Sequence, residues 1–236
     1  MELILKKYPK NPIIIESTPG FGLAGTIAAE FLIDHLDTEM IGKIWLKDMP
    51  AITAIHECHV VQPLGIFYNK KYNILILHAI TETKNIEWKL SEAIVELAKK
   101  LKAKEIISLE GVGSPGLSTA SKTFFFSSDP IKRKIFQKIG IDPLKEGIIM
   151  GVTSALLLRH EEISISCIFA EASSNLPDSK AAAKIIETLD KYLGLKVDYK
   201  PLLQQAQKFE EKLKGILNKS QEVQKMQEKK KLSYVG

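Results

Sequence analysis

The chain has few of the residues that mark several common protein classes. Its 236 residues include only two cysteines, Cys58 and Cys167, and no CxxC pair, so we expect neither a disulfide framework nor a zinc knuckle. Only Arg133 and Arg159 are arginine among 33 basic residues, whereas phosphate and base recognition favours the guanidinium group. No apolar run approaches the roughly 18 residues of a membrane span. We therefore expect a cytoplasmic protein that has neither nucleic acid nor a membrane as its partner.

The net charge of +5 is concentrated at one end of the chain. Residues 201–236 contain eight lysines and four glutamates, so four of the five net charges fall there. The whole chain is 45% hydrophobic and 26% charged, which is typical of a globular protein. We predict an α/β domain over residues 1–200, an amphipathic helix over 201–228 and a flexible tail over 229–236.

Strand-like and helix-like patterns alternate through the body. Residues 12–17, PIIIES, form a β-branched run typical of a strand buried on both faces, and residues 26–36 have helical spacing. Two apolar runs flank YNKKYN at 68–73, which predicts a β-hairpin. We therefore predict three layers, with a mostly parallel sheet and an antiparallel hairpin portion between helices. The same patterns predict strands at 40–48, 105–110, 147–151 and 163–172, helices at 86–102, 130–139, 152–162 and 179–193, and a connection at 122–130. Asp178 is the predicted N-cap of the helix at 179–193, and Gly194 is predicted to end it.

The turn after the first buried strand has the spacing of a dinucleotide-binding loop. Gly20, Gly22 and Gly25 form G-x-G-x-x-G in STPGFGLAG, between a strand and a helix. Glu16 precedes this turn, where its charge would oppose a pyrophosphate at the helix N-terminus. We interpret the glycines as structural. The alternative is a nucleotide- or nucleoside-binding enzyme or sensor that uses the turn at 20–25 and its second copy.

That second copy is GVGSPG at 111–116. Gly111 and Gly113 open it, Glu110 precedes it, and its proline lacks the N–H that a phosphate would need. Both turns are expected at the carboxyl edge of the parallel strands, where α/β proteins bind ligands. We expect any pocket of Glu16, Glu110 and glycine backbone to suit a polar or cationic group better than a phosphate.

Neither a metal centre nor a catalytic centre is expected. His56, Glu57, Cys58 and His59 are adjacent, but on one strand over 52–61 alternate side chains point to opposite faces. The serines near the second glycine motif do not form the G-x-S-x-G pattern of a nucleophile. We therefore expect a protein that is not an enzyme and has no cofactor.

Three segments resemble the archaeal proteasome-assembly chaperone family, homologous to the eukaryotic assembly chaperones. They are TPGFGLAGTIAAEFLI, LEGVGSPG and, most specifically, the stretch from GVTSALLLRHEE through AEA, Pro177-Asp178 and an alanine-rich helix to LGLKVD. The resemblance covers about residues 10–200. It implies a non-enzymatic fold with the layout of nucleoside phosphorylases, a homo-oligomer, and a role in helping proteasome α subunits to form their ring.

The resemblance also implies a docking role for the C-terminus. Some family members end in a hydrophobic-Tyr-X tripeptide that inserts between α subunits. This chain ends Leu232-Ser233-Tyr234-Val235-Gly236, with the tyrosine third from last instead of second. The lysines at 229–231 can be attracted to an acidic surface, and the terminal apolar side chains can anchor in a pocket. The alternative is a solvated terminus.

Overall fold

A computed structural model describes residues 1–56, 58–113, 122–172 and 177–201, together with 203 and 215. The strands are β1 (Glu2–Leu5), β2 (Ile13–Ser17), β3 (Glu39–Trp45), β4 (Ala54–His56), β5 (His59–Val61), β6 (Leu64–Asn69), β7 (Ile74–Ala79), β8 (Glu105–Gly113), β9 (Thr123–Ser127), β10 (Asp142–Pro143) and β11 (Ile165–Ala172). The helices are α1 (Ala24–His35), α2 (Glu87–Leu101), α3 (Pro130–Lys138), α4 (Gly151–Leu157) and α5 (Ser179–Leu193), and a short 3-10 turn spans Phe21–Leu23.

The described strands other than β4 and β5 form one nine-stranded sheet in the order β1-β3-β6-β7-β2-β8-β11-β9-β10. Its centre is parallel, since β7, β2, β8 and β11 run in one direction. Strands β1, β3 and β6 extend one side by antiparallel pairing, and β9 pairs antiparallel with β11 on the other. The predicted α/β fold and the hairpin at 68–73 are both confirmed.

Helices cover both faces of this sheet. On one face α1 and α5 pack against Ile15, Ile107 and Ile168. On the other face α2 and α4 pack against neighbouring strand residues that include Ile14 and Ile106. Successive strand side chains point to opposite faces, so a strand covered on both sides needs apolar residues in succession. This requirement explains the isoleucine run of β2.

The ends of α5 follow the sequence prediction. The Asp178 carboxylate accepts a hydrogen bond from the Ala181 backbone N–H at 3.0 Å, which satisfies a donor that the helix itself leaves unpaired. Gly194 ends the helix with a φ of 67°, a conformation that glycine adopts at low cost. Both end signals predicted from the sequence are therefore confirmed.

The connection predicted at 122–130 and the strand predicted at 147–151 differ from the structure, and the helix predicted over 152–162 ends at Leu157. The connection at 122–130 contains strand β9, because these residues pair antiparallel with β11. Phe125 of β9 is buried against Phe136 of α3, with ring centroids 4.8 Å apart. The strand predicted at 147–151 is absent from this described segment, which is irregular up to α4. Its apolar run follows the wall of a cavity, where Ile148 is 93% exposed, so apolar content here does not reflect strand pairing.

Little of the C-terminal segment is described. Lys200, Pro201, Leu203 and Gly215 are helical, and the other residues of the predicted helix over 201–228 lie outside the described residues. The tail over 229–236 lies outside them as well. Within the described ranges, no helix has the length and apolar character needed to cross a membrane.

Candidate functional site

A cavity of about 630 Å³ opens at the carboxyl ends of β2 and β8. The turn after β2, residues 18–21, forms one wall, and residues 110–113 of β8 form the adjoining wall. Leu144 and residues 146–151 form a third side in front of α4. The cavity therefore lies at the sheet edge where ligand sites of α/β proteins form.

A chain of hydrogen-bonding oxygens joins the buried carboxyl group of Glu16 to the partly buried carboxyl group of Glu110 at the cavity wall. The Ser108 hydroxyl oxygen lies 2.6 Å from Glu16 Oε2 and 2.8 Å from Thr153 Oγ1. Thr153 Oγ1 in turn lies 2.9 Å from Glu110 Oε2. These three contacts need three protons, whereas the two hydroxyl groups supply two. A full set of hydrogen bonds therefore requires one protonated carboxyl group.

Burial makes a protonated carboxyl favourable near neutral pH. Loss of solvation raises the pKa of Glu110 to about 8, although its hydrogen bond with Thr153 lowers it, and the charge of Glu16 raises it further. Loss of solvation also raises the pKa of Glu16 to about 7, against a lowering by Ser108. Glu16 Oε1 is buried without a hydrogen-bond partner among the described residues. The pair thus carries less than its full negative charge at pH 7.

The first glycine motif brings the turn and α1 into direct contact with β8. A Cβ atom on Gly25 would lie 2.1 Å from the Leu109 carbonyl oxygen, and one on Gly20 would lie 1.9 Å from Glu110 Oε1. Gly22 lies between them with a φ of 61°. These close approaches give the glycines a packing role and place the Glu110 carboxyl group against the turn.

The second glycine motif does not form a turn over its described part. Gly111 and Gly113 lie within β8, opposite Ala170 and Ala172 of β11, so the prediction of a turn starting directly after residue 110 is wrong. The parallel pairing of β8 with β11 continues through both glycines. Gly111 leaves room for the turn after β2, because a Cβ atom at this position would lie 2.0 Å from the Phe21 carbonyl oxygen. Residues 114–121 lie outside the described residues.

The predicted pocket residues divide into two groups. Gly20, Glu110, Gly111 and Gly113 line the cavity, whereas Glu16, Gly22 and Gly25 are not among its lining residues. Glu16 is fully buried and is connected to the cavity through Ser108 and Thr153.

Sequence reasoning missed several polar residues of the site. Ser108 interrupts an apolar strand and Thr153 lies in a largely apolar helix, and such isolated hydroxyl groups are a signal that a buried polar partner is near. Glu146 and Glu171 add two carboxyl groups to the lining. No lysine, arginine or histidine is among the described lining residues. This acidic lining is unfavourable for a phosphate group.

The segment 52–61 is a hairpin, so its prediction as one strand is wrong. Strands β4 and β5 pair antiparallel, and His56 lies opposite His59 because the chain reverses at Cys58, whose φ is 62°. Glu57 lies outside the described residues. Among the residues that the structure describes, no three His, Cys, Asp or Glu side chains are grouped so that they could hold a metal ion. The predicted docking residues, Leu232, Ser233, Tyr234, Val235 and Gly236, also lie outside the described part.

Sequence and structure comparisons connect the chain to known proteins. An uncharacterized protein of Methanocaldococcus jannaschii is 26% identical over 211 residues, which cover 88% of this chain and 86% of the relative. Among solved structures, Pyrococcus furiosus PbaA, an archaeal homolog of proteasome-assembly chaperone, is 31% identical with a TM-score of 0.85, over 94% of this chain and 99% of PbaA.

A second solved structure from Pyrococcus furiosus, PbaB, an archaeal proteasome activator, has a TM-score of 0.75 over 91% of this chain and 98% of PbaB. Its 19% identity shows a shared fold alone. The model of the PAC2 family matches residues 14–217, and together with PbaA it confirms the resemblance seen in the sequence. The chain belongs to the PAC2 family.

Proposed function

We propose that this protein is a proteasome-assembly chaperone or proteasome-binding scaffold that engages 20S α subunits and catalyses no reaction. The observation that carries the proposal is the 31% identity with PbaA, a homolog of proteasome-assembly chaperone, over 94% of the chain. A match of this extent includes the sheet and both helical layers. The activity would then take place in the cytoplasm.

The C-terminal segment supplies a physical means of binding. Four of the five net positive charges fall in residues 201–236, so this segment is attracted to an acidic surface. Tyr234 and Val235 add apolar groups that can fill a pocket, and the terminal carboxylate can pair with a lysine there. We propose that Leu232–Gly236 dock on the α subunits.

Oligomerisation would strengthen this interaction. A homo-oligomer presents several identical tails, and simultaneous engagement raises avidity without any new contact. Individually weak tails are then sufficient for stable binding to a ring with several equivalent pockets.

Nucleotide or nucleoside binding is the alternative function, and the acidic lining of the cavity weighs against it. Thermal unfolding with adenosine and with ATP tests it, because a ligand that binds only the folded state raises the Tm. A clear rise in Tm with either compound would favour the alternative.

The proposal is tested by co-sedimentation of the full chain with purified archaeal 20S α subunits, and by native mass measurement of the complex. We expect binding by the full chain and about tenfold or greater weakening after deletion of residues 233–236, the size expected for loss of an interface hot spot. Deletion of Gly236 alone makes the tyrosine second from last, and we expect this variant to bind at least as tightly as the full chain.

Paired lysine variants separate tail charge from overall charge. Lys230→Ser with Lys231→Ser is expected to weaken binding at low salt, whereas Lys134→Ser with Lys138→Ser, on the exposed face of α3, serves as the matched control. Absence of binding by the full chain would overturn the chaperone proposal. Unchanged binding after deletion of residues 233–236 would overturn only the role of the tail.

A further inference from the structure

The cavity at the ends of β2 and β8 has the size of a small-molecule site. Its volume of about 630 Å³ lies within the range of roughly 300–1,000 Å³ that ligand pockets occupy. Neither the family membership nor the proposed binding to proteasome subunits requires such a cavity. Ligand binding in this cavity is therefore independent of the proposed function.

The ionisable groups of the cavity are all acidic in the described part of its lining. Glu110, Glu146 and Glu171 belong to this lining, which includes no lysine, arginine or histidine among the described residues. Glu171 accepts a hydrogen bond from the Lys122 backbone N–H at 3.3 Å. The ionisable side chains of the described lining are therefore carboxyl groups alone.

Glu110 is a partly buried acid at the cavity wall, and it lacks a cationic partner within the described residues. Its hydrogen bonds run to neutral groups, since its carboxyl contacts Thr153, and the nearby Glu16 is itself acidic. Burial of an unpaired carboxylate is costly, which agrees with a pKa raised to about 8 by loss of solvation. A cation close to this carboxyl would favour its ionised form.

Apolar side chains surround the same cavity. Phe21, Ile148 and Met150 lie along it and remain exposed, by 38%, 93% and 65% respectively. Leu144 and Ile149 add further apolar surface. An apolar ligand body would cover part of this surface, and removal of apolar area from water favours binding. The cavity thus combines an acid that has no cationic partner among the described residues with an apolar wall.

From this combination we propose that the cavity binds a small organic cation, in which a protonated amine contacts Glu110 and an apolar body lies against Phe21 and Met150. The amine donates hydrogen bonds to the carboxylate, and Thr153 keeps one carboxylate oxygen in position. Anionic ligands of the same shape are disfavoured, because Glu146 and Glu171 are acidic and no described lining residue supplies a positive charge.

Three probes that share one apolar body test the charge preference. They are 4-phenylbutylamine, 4-phenylbutan-1-ol and 5-phenylpentanoate, titrated into the full chain labelled with ¹³C at the methionine methyl groups. We expect the amine to shift the Met150 signal and to leave the signal of Met40 on β3 unchanged. A hydrogen bond to a charged group predicts about tenfold tighter binding of the amine than of the alcohol, and the weakest binding for the acid.

Substitution at Glu110 locates the cation. In Glu110→Gln we expect about tenfold weaker binding of the amine with unchanged binding of the alcohol, which also shows that the cavity is still formed. Glu96→Gln, on the exposed face of α2, is the matched control and is expected to bind the amine as the unmodified chain does. Equal affinity for amine and alcohol, or no shift of Met150 by the amine, would overturn the proposal.

Discussion

Folding stability is expected to decrease as the pH rises from 5.5 to 7.5, because the carboxyl groups of Glu16 and Glu110 hold protons in the folded state. The ordinary pKa of a glutamate is 4.5, whereas burial raises the pKa of Glu16 to about 7 and that of Glu110 to about 8. Between these values the folded chain binds more protons than the unfolded chain. The stabilisation is therefore complete below pH 4.5 and is lost as the pH rises towards 7 and 8.

The expected size follows from the separation of the two pKa values. Within this window each carboxyl group lowers the free energy of unfolding by about 1.4 kcal/mol per pH unit. The pair therefore contributes a decrease of about 3 kcal/mol between pH 5.5 and 6.5. Such a decrease is a large share of the roughly 5–15 kcal/mol that stabilises a typical domain, so it is measurable.

Urea unfolding at half-unit steps from pH 5.5 to 7.0 measures this slope, and Glu110→Gln assigns it. The glutamine keeps a carbonyl oxygen for Thr153 but cannot titrate, so we expect the slope to decrease by about 1.4 kcal/mol per pH unit. Glu146→Gln, at an exposed position, is the matched control and should retain the original slope. Identical slopes in the Glu110→Gln variant and the unmodified chain would refute a role for this buried proton.

Other substitutions test the packing of the first turn and a helix end. Gly25→Ala should destabilise the protein by about 2 kcal/mol, because the new Cβ atom would meet the Leu109 carbonyl oxygen at 2.1 Å. Gly215→Ala, with no described residue within 4 Å of its Cβ position, should not be destabilising. Asp178→Ala should cost about 1 kcal/mol, because the Ala181 N–H at the start of α5 loses its acceptor. Urea unfolding at constant pH measures both losses, and an unchanged midpoint in either test variant would contradict the corresponding contact.

Local sequence patterns were sufficient for much of the fold. The isoleucine run of β2, the amphipathic spacing of α2, the hairpin between β6 and β7, and the end signals of α5 were all predicted from neighbouring residues. Each depends on interactions that are short in sequence, such as side-chain periodicity, turn chemistry and capping. The parallel centre followed from the alternation of strands with helices.

Contacts between distant segments explain where the sequence predictions failed. Strand β9 was missed because its pairing partner, β11, begins nearly 40 residues later. Gly111 and Gly113 were assigned to a turn, but pairing with Ala170 and Ala172 keeps them in β8. The apolar residues at 147–151 line a cavity instead of pairing. The residue pattern of one segment does not show whether its residues pair in a sheet, form a turn or line a cavity, because each outcome depends on a distant partner.

The sequence by itself determined the α/β class, the first strand–turn–helix unit, the concentration of positive charge at the C-terminus and the resemblance to a chaperone family. Only the tertiary structure joined Glu16 to Glu110, because Ser108 and Thr153 complete their connection from β8 and α4. The carboxyl groups are 94 positions apart in the sequence, and their pKa values depend on shared burial. Solvation and proximity are properties of the folded chain, so no local pattern encodes them.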